Sequence, residues 1–274
     1  MLREKKRIPN VLTIAGIDPS GGAGLLADVK AMSALGVYAA GVPTALTAQN
    51  TCGVTGVMAI PADFVAKELD AIFNDLTIDA VKIGMLNDAE VIHTVAAALR
   101  QWKPRWVVLD PVMVAKSGDR LLREDALEAL RHELMPLATL ATPNLPEAAA
   151  LLDEPETVRE EDMVLLATRL RERFATPWIL VKGGHLNGAE SPDCLVGPDT
   201  TVQWFRTTRM ATKNTHGTGC TLSSAIAAEL AHEGEVPQAV KAAKAYISGA
   251  IAHTDELTVG HGHGPTNHFW TLWS

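Results

Sequence analysis

Cysteine is scarce in this sequence: Cys52, Cys194 and Cys220 are the only three among 274 residues. An odd number without metal-type spacing suggests neither a disulfide framework nor a zinc site, and the expected setting is a reducing cytoplasm. Aromatic residues make up only 5% of the chain and charged residues 20%. There is no basic excess either. The formal net charge is −8, which argues against a general surface for nucleic acid or acidic membrane and favours small-molecule partners. No uninterrupted apolar run is long enough to span a bilayer. The opening MLREKKRIPN followed by VLTIAGI has the outline of a secretory signal, but Asp18 and the Pro-Ser-Gly-Gly run cut the apolar segment short. It reads as a first core strand.

What is present is core-forming sequence, 47% hydrophobic, in which β and α patterns alternate. Short apolar runs at residues 11–15, 38–48, 54–60, 80–83, 106–109, 137–141 and 178–181 read as strands. Helical spacing appears at 23–35, 61–76, 90–102, 123–134, 147–152 and 160–174, then up to 230 and over 236–257. Residues 194–197 and 202–205 read as a hairpin of antiparallel edge strands. No repeat, low-complexity run or linker divides the chain, so one domain of alternating elements is the economical reading.

The organising stretch is residues 213–224, KNTHGTGCTLSS. Gly217 and Gly219 bracket Thr218 and lead through Cys220 into helical sequence, which is the chemistry of an anion-binding loop at a helix start. A thiol placed there is expected to feel a field that favours its ionised form. Other candidates stand where strands end. Asp110 follows residues 106–109, where α/β enzymes place functional carboxylates. Lys182 precedes two glycines after residues 178–181, a weak phosphate signal taken alone. Glu147 reads as a helix N-terminal carboxylate. Gln49 is a loop amide with a donor and an acceptor, suited to a heteroaromatic ring that carries an amino group beside a ring nitrogen. Asp28 is a solvated helix carboxylate unless it faces the crevice above the strand ends. The tail HGHGP, residues 261–265, has two histidines without a third ligand and reads as loop rather than metal site.

Taken in order, GIDPSGGAGLLAD, ALTAQNT, KIGML, DPVM with AKSGD, TPNLPEAAALL, VKGGH and KNTHGTGCTLSSA closely resemble the hydroxymethylpyrimidine/phosphomethylpyrimidine kinases of the ribokinase-like superfamily. The resemblance runs from about Val11 to the GHGP tail. It implies a three-layer α/β/α sandwich with a mostly parallel central sheet, usually a homodimer. It also implies an ATP- and Mg²⁺-dependent enzyme of thiamine biosynthesis, which phosphorylates 4-amino-5-hydroxymethyl-2-methylpyrimidine and then its monophosphate at one site. By motif position, Asp28 and Gln49 would hold the pyrimidine, with Gly16, Met85 and Val112 lining its pocket. Asp110 and Glu147 would act through Mg²⁺ and its waters. Asn144, Lys182, Lys213 and Thr215 would lie on the nucleotide side. The backbone from His216 through Gly217, Thr218 and Gly219 to Cys220 would form the anion hole, with Cys220 accepting the substrate's hydroxyl proton. The superfamily's sugar kinases place Asp where this sequence has Cys220. A pyridoxal kinase using the same machinery is the nearest alternative. A non-catalytic pyrimidine-binding protein would be expected to lack the anion-hole glycines, Cys220 or the acidic pair, and all are present. A nicotinamide-dependent oxidoreductase is set aside because GIDPSGGAG lacks the GxGxxG spacing.

Overall fold

The computed structural model describes residues 7–113, 124–157, 159–232 and 234–273. The AKSGD loop and the first residue of the helix expected at 123–134 lie outside them. Nine strands form one sheet: β1 (Asn10–Ile17), β2 (Tyr38–Asn50), β3 (Gly53–Ala59), β4 (Ala80–Ile83), β5 (Trp106–Leu109), β6 (Leu140–Ala141), β7 (Trp178–Lys182), β8 (Glu190–Val196) and β9 (Val202–Thr208). Their order is β3-β2-β1-β4-β5-β6-β7-β8-β9. Six strands, β2, β1, β4, β5, β6 and β7, run parallel, while β3, β8 and β9 join antiparallel.

The helices are α1 (Gly24–Ala34), α2 (Ala62–Asp75), α3 (Ala89–Trp102), α4 (Glu124–Ala129), α5 (Leu145–Leu152), α6 (Met163–Phe174), α7 (Thr218–Ala231) and α8 (Val236–Ala252). The central strands are apolar on both faces because both faces are covered, which is why they read as continuous runs rather than alternations. Leu12, Ile14, Val81, Ile83 and Leu109 pack toward α2 to α6. Val11, Ala80, Val108, Leu140 and Leu180 pack toward α7, α8 and the Ala31–Met32 side of α1. The result is a three-layer α/β/α sandwich with a mostly parallel sheet.

The departures from the sequence reading have local causes. The helix expected to reach 134 is α only to Ala129, widens into a π turn at Leu130–Leu134 and tightens to 3-10 at Met135–Leu137. The Leu134 carbonyl accepts the Ala138 N–H. That helical path uses up the start of the strand expected at 137–141 and leaves the two residues of β6. A 3-10 turn at Glu160–Asp162 precedes α6, which starts at Met163. The hairpin is longer than its apolar runs because its ladder continues out to Glu190 opposite Thr208. Of the two hairpin strands β9 is the edge, since β8 also pairs with β7. The last long helix stops at Ala252, five residues short of the expected end.

The chain leaves β1 for β2 on one side and returns as β4 on the other. Such a switch point opens a crevice above the strand ends, where open α/β sheets bind ligands. Helix α7 packs across β1, β4 and β5 beneath that crevice.

Candidate active site

Gly217 starts the site. It takes a left-handed φ of 73°, and an added Cβ would stand 1.9 Å from the Gly22 carbonyl oxygen, so no other residue fits. The first turn of α7, Thr218-Gly219-Cys220, therefore begins hard against the loop after β1. Its leading N–H groups lack acceptors within the helix and carry the positive end of the helix dipole. They face a charged cluster: a Cβ at Gly219 would lie 3.4 Å from Lys182 Nζ and 3.6 Å from Asp110 Oδ2.

That cluster is assembled from three consecutive strand ends. Asp110, after β5, is 1% exposed. Its Oδ1 accepts from Lys182 Nζ at 2.7 Å and Thr142 Oγ1 at 3.1 Å, and its Oδ2 from Ser223 Oγ of α7 at 3.3 Å. Burial opposes its ionisation, but the Lys182 and Lys82 charges outweigh it and hold the carboxyl below its ordinary range. Lys182 lies 3.8 Å from Glu147 Oε2 as well. Burial, with the negative charge of Asp110 added, pushes Glu147 up to about 7 even though Lys182 pulls it down. Glu147 also closes a capping box with Asn144. The Asn144 N–H donates to Glu147 Oε2 and the Glu147 N–H to Asn144 Oδ1, each at 2.8 Å. The helix-terminal reading of Glu147 therefore holds, and the same carboxylate reaches the lysine.

Two expectations are corrected here. Cys220 is half-buried, and its thiol is not biased toward ionisation. Burial, with Asp28 and Asp110 nearby, pushes it up to about 11 against the lowering effect of Lys82. Asp28 is neither solvated nor open to the crevice. It is fully buried, and its Oδ2 accepts from Lys82 Nζ at 2.7 Å and Thr13 Oγ1 at 2.6 Å while its Oδ1 accepts from Ser224 Oγ at 2.8 Å. A substrate ring would have to displace one of these donors to reach it.

Lys82 went unread in the sequence because one lysine in the four-residue strand AVKI looks like a half-exposed position. It is fully buried and points to the α1–α7 side, where Asp28 compensates it. Asp18, read only as the residue that cuts the first apolar segment short, is also part of the site wall. Its carboxylate accepts from the Ser20 and Ala23 N–H groups and from His216 Nε2 at 2.7 Å. Burial opposes its ionisation, yet the His216 and Ser20 hydrogen bonds hold it below its ordinary value. Because that carboxylate only accepts, His216 Nε2 carries the proton. Gln49 lies 3.4 Å from the same nitrogen. The atom placed there is Gln49 Nε2, while Gln49 Oε1 lies 3.2 Å from Thr47 Oγ1, whose hydroxyl also reaches the Ile17 carbonyl at 2.9 Å.

On the same side, a Cβ at Gly16 would fall 2.9 Å from Met85 Sδ, and Met85 is fixed by the Thr44 hydroxyl on its carbonyl oxygen. Val112 is half-buried just beyond Asp110, its N–H donating to the Asp110 carbonyl. The structure thus groups Gly16 with Met85 and Gln49 with His216, and gathers Asp110, Glu147, Lys182 and Gly219. Lys213 is exposed, and its carbonyl accepts the Thr215 N–H within the loop.

A nine-stranded α/β sandwich with a Gly-built helix start above paired strand-end carboxylates and a lysine defines the ribokinase-like small-molecule kinases. A family model for phosphomethylpyrimidine kinase matches residues 18–267, and the chain belongs to that family. It is 52% identical to the hydroxymethylpyrimidine/phosphomethylpyrimidine kinase of Salmonella typhimurium, over 96% of this chain and 98% of that one. It is 50% identical to the enzyme of the same name from Escherichia coli, over 98% and 100%. Among solved structures, a phosphomethylpyrimidine kinase from Clostridium difficile superposes with TM-score 0.78 and 40% identity, covering 89% of this chain and 99% of that one. An ADP complex of Bacillus subtilis pyridoxal kinase superposes with TM-score 0.89 and 33% identity, covering 98% and 100%.

Proposed function

We propose that this enzyme transfers the γ-phosphoryl group of ATP to the hydroxymethyl oxygen of 4-amino-5-hydroxymethyl-2-methylpyrimidine, and then phosphorylates that monophosphate to the diphosphate for thiamine biosynthesis. The observation that carries the reading is the meeting of the α7 first turn with the Asp110–Lys182–Glu147 cluster. Phosphoryl transfer is mostly positioning and charge stabilisation, and this arrangement supplies both. The N–H groups from Gly217 to Cys220 receive the moving phosphoryl group, and Lys182 neutralises the nucleotide tail. The substrate oxygen bonds to phosphorus as the bond to the leaving ADP breaks, and the hydroxyl proton goes to the thiolate form of Cys220.

Asp110 and Glu147 fit Mg²⁺. Both are buried oxygen donors beside the α7 first turn, and Lys182 is the cation that now faces them. Among the described residues no group of three or more His, Cys, Asp or Glu side chains could cage a metal. The ion would therefore rest on these two carboxylates, water and phosphate oxygens, as Mg²⁺ commonly does. When bound it supplies charge neutralisation to the phosphates.

Gln49, Gly16, Met85 and Val112 form the ring-binding side. Asn144 and Thr215 belong to the nucleotide side, with Lys213 at its rim. A cytoplasmic homodimer completes the proposal. Its support is the exposed apolar set Tyr38, Leu46, Val57 and Met58 on the β2–β3 edge, together with the free, exposed Cys52; no helix among the described residues is long and apolar enough to cross a membrane. The close superposition on pyridoxal kinases favours a second reading, in which pyridoxal is an additional substrate. Steady-state assays with each alcohol and Mg-ATP decide between them: a large preference in kcat/KM for pyridoxal would replace the first reading.

A further inference from the structure

The Gly-rich tail segment HGHGP is not absorbed by the chemistry above, yet it lies across both halves of the site. At one end it meets the β2–β3 turn, two residues beyond Gln49. The Gly262 N–H donates to Thr51 Oγ1 at 3.1 Å and the His263 N–H to the Thr51 carbonyl at 2.8 Å. At the other end it meets the loop leading into α7. The Gly264 N–H donates to Asn214 Oδ1 at 3.1 Å, the His216 N–H donates to the Gly264 carbonyl at 3.1 Å, and His263 Nδ1 donates to the Lys213 carbonyl at 3.1 Å.

Its glycines are required by contact. A Cβ would fall 2.2 Å from Thr51 Oγ1 at Gly260, 2.1 Å from the Thr51 carbonyl oxygen at Gly262 and 2.4 Å from Asn214 Oδ1 at Gly264. Downstream the segment is anchored on rigid elements. His268 Nε2 pairs with Thr221 Oγ1 of α7 at 3.0 Å, the Tyr246 hydroxyl of α8 donates to the His268 carbonyl, and the Asn267 N–H donates to the Ala250 carbonyl.

We infer that residues 260–267 are a strap that sets the spacing between the Gln49 side and the Gly217–Cys220 donors, with Thr51 and Asn214 as positioning residues for phosphoryl transfer. The His216 backbone hangs from the strap while its ring is held by Asp18, so the residue that opens the donor loop is fixed from two directions. Loosening either anchor lets the donors move relative to the bound alcohol, and displacements of about 1 Å cost on the order of 100-fold in rate.

The inference rests on the kinase reading, and the test separates the two. Thr51→Val removes the hydroxyl that accepts from Gly262, whereas Thr51→Ser keeps it. Phosphorylation of the pyrimidine alcohol is measured for both, for Asn214→Ala and for the Thr51→Val/Asn214→Ala pair. Thr51→Val is expected to lower kcat about 10- to 100-fold with little change in KM for the alcohol. Thr51→Ser should stay near the parent, and the paired losses should be non-additive. In parallel, amide exchange across residues 210–220 is compared between parent and Thr51→Val, and it should quicken in the variant whatever the substrate. Unchanged exchange at the α7 loop, or unchanged kcat in an active enzyme, overturns the strap. Quickened exchange in a protein that phosphorylates no pyrimidine upholds the strap and overturns the substrate reading.

Discussion

Replacing Lys82 by methionine separates a structural from a chemical account of the buried charges. The variant keeps most of the side-chain volume and leaves Asp28 fully buried with only the Thr13 and Ser224 hydroxyls as partners. Breaking a buried pair by removing one member costs about 3–5 kcal/mol, because the remaining charge is uncompensated. At roughly 2–4 °C per kcal/mol for a chain of this size, the melting temperature should fall by about 6–20 °C. Differential scanning calorimetry on the metal- and nucleotide-free protein reads this directly. Adding Asp28→Asn removes the orphaned charge, so the double variant should recover a substantial part of the loss, a coupling of about 0.5–3 kcal/mol. The same substitution has a chemical signature. Lys82 is the charge that pulls the Cys220 thiol down, so its loss should move thiol titration, followed by iodoacetamide reactivity, to still higher pH. A single variant melting within a few degrees of the parent, or strictly additive losses, would refute the argument.

Other consequences follow from the same geometry. With the thiol pushed up to about 11, on the order of one Cys220 in several thousand is ionised at pH 7.5. If it accepts the hydroxyl proton, log kcat/KM should climb with unit slope from about pH 7 to 10, and Cys220→Ala should lose most turnover while keeping pyrimidine affinity; a plateau below pH 8 removes Cys220 as the base. Gly217→Ala forces a Cβ into left-handed backbone and onto the Gly22 carbonyl, so it should cost at least about 1–3 kcal/mol of stability in urea unfolding. Gly219→Ala makes only ordinary contacts with Lys182 and Asp110; it should melt like the parent and lose turnover by crowding the donors. Glu147, raised from an ordinary 4.5 to about 7, binds more protons folded than unfolded between those values, so its contribution to stability is present below about pH 4.5 and lost as pH rises through 7. Glu147→Gln, which can still accept from Asn144, should therefore gain on the parent as pH rises from 5 to 8 in thermal melts without metal, and an unchanged difference would contradict the burial argument.

The parts of this molecule legible in the sequence were those with local causes. Strands β4 and β5 stand where their apolar runs place them, and Gly217 announces a left-handed turn before a helix. Glu147, read as a helix N-terminal carboxylate, stands in the first turn of α5. What escaped depends on partners distant in sequence. Lys82 is intelligible only once α1 brings Asp28 beneath it, and Asp18 only once the α7 loop brings His216 across. Cys220 misled for the same reason. The helix start that favours a thiolate is visible locally, whereas the burial and the two carboxylates that oppose it come from other elements. The tail glycines look like plain loop chemistry until Thr51 and Asn214 are seen against them.

The most direct test of the central claim is product analysis by mass spectrometry of the purified protein with Mg-ATP and 4-amino-5-hydroxymethyl-2-methylpyrimidine. Monophosphate should appear first and diphosphate follow, both with stoichiometric ADP and both lost in Cys220→Ala. ADP formed without any phosphorylated pyrimidine, or no turnover of the pyrimidine alongside efficient turnover of pyridoxal, would contradict the account.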